Sequence, residues 1–114
     1  MDGPVIDRAV FAELRDTTGP EFVAELVDTF LQEVPGMLAD LRGARESGDA
    51  ERFRRAAHSL KTNGNTFGAL KLAAVARELE LKGWDAKVAD EPALTAVETE
   101  CTRAAAELKA LLDG

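Results

Sequence analysis

Apolar residues recur at intervals of three and four along most of this chain, and the alternation that marks strands is scarce. That period is helical. Asp7 stands where it can cap a short helix over about residues 8–16, with Ile6 just outside it to pack on Phe11, and the run "TTG" ends that helix. From Pro20 onward Phe22, Val23, Leu26, Val27, Phe30, Val34, Met37, Leu38 and Leu41 draw one apolar face along a helix of about residues 20–46. Pro20 suits its first turn, where a missing N–H costs nothing. Pro35 removes one hydrogen bond but the stripe continues past it, so a bend is expected rather than an end.

Asp49 is placed to cap a third helix, whose core face is Phe53, Ala57, Leu60, Gly64 and Phe67. A fourth carries Leu72, Ala76 and Leu79 and is expected to stop at Gly83, with Trp84 folding back on Leu79. A fifth begins near Asp90 and buries Leu94, Val97, Cys101, Leu108 and Leu111. Four long helices with short connections predict an all-α, antiparallel four-helix bundle, capped by the short N-terminal helix. At 114 residues, with no linker or repeat, the chain reads as a single domain over residues 1–114.

Composition narrows the possible partners. Apolar residues at 46% and charged residues at 31% fit a soluble globular protein. With 14 basic and 21 acidic side chains the formal charge is −7, so phosphate backbones and anionic lipid would be repelled. Nucleic acid is therefore not an expected partner. No apolar run approaches the roughly 20 residues of a membrane span, and the N-terminus lacks the features of a secretory signal, so a cytoplasmic location is expected. One cysteine, on an apolar face, reads as a buried small hydrophobe, and one histidine with one cysteine makes no zinc set. Glu13, Asp16, Glu21 and Glu25 read as solvated faces.

The single histidine, His58, lies in "RRAAHSLKTNGNTFGAL". With Phe53 as origin and about 100° per residue, Lys61, Arg54, Asn65 and His58 fall at roughly 80°, 100°, 120° and 140°, and Thr62 at roughly 180°. His58 thus faces away from the core, with Arg54, Lys61, Thr62 and Asn65 as its neighbours on one helix face. Cations crowd it, while the small residues Ala56, Ala57, Ser59, Thr62 and Gly64 keep the surface low. Such a surface suits an imidazole that meets phosphate, because neutral imidazole is nucleophilic near pH 7 and a lysine can offset phosphoryl charge.

The stretch "GDAERFRRAAHSLKTNGNTFGALKLAAVARELE" resembles the signature of the histidine-containing phosphotransfer (HPt) family, roughly A-H-x-L-K-(G/S)-x-(S/A)-x-x-x-G-A. Ala57, His58, Leu60, Lys61, Gly68 and Ala69 match it, and "FLQEVPGMLADL" is similar to the preceding family helix, proline included. The resemblance implies that His58 is phosphorylated on Nε2 by the aspartyl phosphate of a response-regulator receiver domain and passes the group to another receiver. It implies no cofactor of the chain's own, since Mg²⁺ and the acidic pocket belong to the receiver. Hybrid histidine kinases and receivers are the implied partners of a monomer. No nucleotide-binding glycine loop is present, so neither kinase activity nor ATP binding is expected.

Two positions depart from the pattern. Thr62 stands where the family often has glycine, and Asn65 where a small residue is common; either side chain can hydrogen-bond phosphoryl oxygens or narrow the choice of partner. The family also holds the other imidazole nitrogen with a polar side chain on the next helix, and ungapped counting places Glu80 there. Receiver docking is expected over the second and third helices, with Phe22, Leu31, Arg54 and Arg55 beside Thr62 and Asn65. Two other readings are a receiver-binding adaptor that works without phosphorylation and a substrate domain cut from a chemotaxis-type kinase. His58 and Lys61 together disfavour the adaptor, and Met1 with a compact end at Gly114 favours a free-standing protein, although an excised domain would look the same.

Overall fold

The computed structural model of the protein describes residues 5–82 and 91–113. Every regular element among them is an α-helix: α1 (Arg8–Thr18), α2 (Pro20–Ser47), α3 (Ala50–Phe67), α4 (Leu70–Lys82) and α5 (Glu91–Asp113). The helix ends follow local chemistry. Asp7 Oδ1 accepts from Ala9 N at 3.0 Å and Val10 N at 3.3 Å, and Asp49 Oδ1 accepts from Arg52 N at 3.0 Å, so both expected caps form. α1 runs two residues beyond the expected end because the Thr18 hydroxyl bonds back to Leu14 O at 2.8 Å, and Gly19 at φ 93° then breaks it. α2 continues through Pro35 and closes at Gly48 in the left-handed region. Gly83, Trp84 and Asp90, to which the sequence assigned the end of one helix and the start of the next, lie outside the described residues.

α2 packs against α3 and α5, α4 against the same two helices, and α1 lies on α2 and α3. The pairing between neighbours is explicit in side chains. Phe30 meets Phe67 with ring centroids 5.3 Å apart, while Asp40 bonds Arg52 at 2.8 Å, so α2 and α3 run in opposite directions. Arg42 spans to α5, its Nε and Nη2 donating to the two oxygens of Glu98 at 3.0 and 2.6 Å. The core between the helices holds Val27, Phe30, Leu41, Phe53, Leu60 and Leu108, all essentially inaccessible, and no described polar or charged side chain is buried with them. Cys101 is part of this core, and its burial, helped by the charges of Glu98 and Glu100, pushes the thiol up to about 12.

Two glycines set how the helices meet. At Gly64 an added Cβ would lie 2.9 Å from Ala73 N and 3.1 Å from Ala69 O, so α3 and α4 approach to backbone contact there. Gly68, at φ 80°, ends α3, and its carbonyl accepts from Asp7 N at 2.7 Å, which anchors the start of α1 on the α3–α4 turn.

Gly36 is the useful contrast, since it lies inside α2 with nothing within 4 Å of an added Cβ. Gly36→Ala is expected to raise stability by about 0.5–1 kcal/mol through helix propensity. Gly64→Ala gains the same propensity but loses about 1–3 kcal/mol to overpacking against backbone, so its sign should be opposite. Urea denaturation of the two variants checks this, and equal stabilisation by both would show that α3 and α4 are not in tight contact.

Candidate functional site

α3 is the platform. Its buried face is Phe53, Ala56, Ala57, Leu60, Gly64 and Phe67, and that stripe leaves His58 on the outside with 59% of its side chain accessible. Thr62 and Asn65 are exposed one and two turns further on. Arg54 and Arg55 are exposed one turn before, Arg54 paired with Glu51.

The close packing at Gly64 brings α4 alongside this face, and Glu80 reaches back to it. One carboxylate oxygen, Oε2, meets His58 Nδ1; the other, Oε1, accepts from Lys61 Nζ at 2.6 Å. Glu80 is only 14% accessible and Lys61 25%, so the bridge sits at the edge of the core with the imidazole projecting above it. The Lys61 hydrogen bond holds the Glu80 carboxyl below its ordinary range; partial desolvation opposes this, and the hydrogen bond to His58 adds to it. An ionised carboxylate only accepts hydrogen bonds. The His58 nitrogen facing it must therefore carry the proton, which leaves the lone pair of the neutral ring on Nε2.

The arrangement presents a nucleophilic nitrogen whose tautomer is set by a charged neighbour, on a surface open enough for a macromolecule to reach. It gathers His58, Lys61 and Glu80 in one network and sets Arg54, Arg55, Thr62 and Asn65 around it. Lys61 points its ammonium at Glu80 rather than standing unpaired beside the ring. Phe22 and Leu31 lie elsewhere. The α2 residues level with His58 are near Met37 and Asp40, which touch Asn63 and Arg52, and Phe22 precedes Met37 by roughly 22 Å of helix. It is exposed beside Thr18, Pro20 and Glu25. Leu31 lines a groove against α5 with Val34, Pro35 and Cys101, on the side of α2 turned from α3.

Helical-wheel reasoning did not single out a hollow between α2 and α3, formed by Met37, Asp40, Arg52, Arg55, Ala56 and Ser59. A wheel places residues around one axis, whereas this hollow exists only between two. Among the described residues no three His, Cys, Asp or Glu side chains come together as a metal set, and no helix is long and apolar enough to cross a membrane.

No curated protein and no solved structure matches the chain. A family model does: that of the Hpt domain matches residues 25–113, which include α3, α4 and every member of the His58 network.

The network makes Glu80 titrate abnormally. Its folded value lies below the unfolded one of about 4.3, so its contribution to stability is present above that pH and is lost as pH falls through the folded value. Following the Glu80 carboxyl by ¹³C NMR should show a midpoint below the usual range. In Lys61→Ala the largest lowering influence is gone while desolvation remains, so the midpoint should move up; a midpoint that stays put would mean that Lys61 does not hold this carboxylate in solution.

Proposed function

The chain belongs to the Hpt domain family, and on that premise we propose that it is a phosphorelay intermediate, built as an antiparallel four-helix bundle, in which His58 accepts a phosphoryl group from a receiver-domain aspartate and passes it to another receiver. The observation that carries this reading is the ionised Glu80 on His58 Nδ1, which leaves Nε2 exposed with its lone pair available.

The step needs little from this chain beyond positioning. The Nε2 lone pair attacks phosphorus, a P–N bond forms as the P–O bond to the aspartyl carboxyl breaks, and the electron pair leaves with the receiver's carboxylate. The proton on Nδ1 stays in place. Positive charge that grows in the ring is met by Glu80, and because Lys61 keeps Glu80 ionised, the lysine acts through the carboxylate as well as by its own charge near the phosphoryl oxygens. The reverse transfer uses the same groups. Mg²⁺ enters with the receiver, whose acidic pocket holds it. Thr62 and Asn65 lie on the surface that a receiver would cover, so a bulkier side chain at Thr62 would exclude a close partner.

Incubation with phosphorylated receivers should produce acid-labile, base-stable label on the protein, and His58→Gln, an exposed substitution, should fold normally and take none. Acid-labile label on that variant would place the acceptor elsewhere. Lys61→Ala should fold and transfer about tenfold or more slowly, as expected for lost electrostatic support. A receiver that binds without leaving label would instead point to an adaptor.

A further inference from the structure

α4 is apolar on two opposite faces. At about 100° per residue from Leu70, the buried Leu79, Leu72 and Ala76 fall at roughly 180°, 200° and 240°, the side on which α4 packs against α3 and α5. Directly opposite, Leu70, Leu81 and Ala74 fall at roughly 0°, 20° and 40°, with Arg77 beside them at roughly 340°, and all four are exposed. Leu81, at 63%, is the most accessible large apolar side chain among the described residues, and Leu70 stands at 47%. The outer face of a surface helix ordinarily carries polar residues, and a helix apolar all round is one that something covers.

The row has the spacing of a helix-pairing seam. Leu70, Ala74, Arg77 and Leu81 follow one another at intervals of four, three and four, the heptad rhythm of residues that pack against a second helix. It also reads the same from either end in size. Turned end for end against a second copy, Leu70 lies on Leu81 of that copy, and the long stem of Arg77 lies over the small Ala74. Lys71 and Glu78 flank the seam on one side, at roughly 100° and 80°, so the same arrangement brings Lys71 of each copy within a turn of Glu78 of the other. A parallel pairing would instead set Arg77 against Arg77.

We propose that two copies of this chain pair through the outer face of α4, antiparallel about a two-fold axis between Ala74 and Arg77, with the leucines at the ends of the seam and the Lys71 and Glu78 charges along its flank. The monomer implied by the family resemblance leaves this stripe facing water; pairing covers it with its own complement, as an isologous interface requires. A single helix of 13 residues makes a small interface, and each copy carries −7, so the dimer forms with rising concentration rather than permanently. Glu80 lies at roughly 280°, toward α3, and a helix laid along the seam leaves its bonds to His58 and Lys61 in place. The pairing therefore stands apart from the relay reading.

Sedimentation velocity from roughly 10 μM to 1 mM, in about 0.15 M salt to screen the charge on each copy, should show a monomer–dimer equilibrium. Leu70→Glu and Leu81→Glu, exposed exchanges that leave the core whole, should each raise the dissociation constant about tenfold or more, whereas Leu112→Glu, the same exchange on α5, should change it by less than about twofold. Lys71→Glu should weaken pairing, and Glu78→Lys added to it should restore pairing, because the exchanged charges meet again only when the helices run antiparallel. A chain that stays monomeric throughout, a dimer indifferent to either seam leucine, a dimer that Leu112→Glu disrupts as strongly, or a double charge variant that pairs no better than Lys71→Glu alone would each overturn this pairing.

Discussion

The close approach of α3 and α4 is the constraint on which the site depends. Glu80 spans the short distance to His58 and Lys61 because nothing larger than hydrogen stands at Gly64, where a Cβ would press on the Ala73 backbone. A wider separation would leave His58 an ordinary surface imidazole with either tautomer open to it. The same turn accepts α1 through the Gly68 carbonyl, so the N-terminal helix is registered to the very hairpin that carries the site. Packing and chemistry here share one geometric origin.

Charge is distributed with a similar economy. The excess of acid over base is spread over exposed faces such as Glu13, Asp16, Glu21 and Glu25, while basic side chains cluster along the first half of α3. Most of those cations are engaged by a carboxylate close by, which limits their reach toward a partner. The local field beside His58 is consequently set by pairing as much as by composition.

The fold was largely legible in the sequence because its signals are local: Asp7 and Asp49 before their helices, the apolar stripe running through Pro35, and Phe53, Leu60 and Phe67 at core spacing. His58 was legible for the same reason, since a wheel fixes its azimuth. Glu80 came within reach only through counting from a family pattern, and its double role did not, because the direction of a long lysine depends on what the neighbouring helix offers. Phe22 and Leu31 show the limit from the other side. Both are apolar beyond the needs of one core stripe, but their distance from His58 is set by how far along α2 the helices are level, which no single-helix pattern contains.

The bond from Asp7 to Gly68 joins segments far apart in the chain, and it exists only once the α3–α4 turn has adopted its left-handed glycine. Both atoms of this clasp belong to the main chain, whereas the Asp7 carboxylate caps α1 from the same residue. A side-chain exchange at Asp7 therefore removes the cap and leaves the clasp its donor, except for proline, which has none.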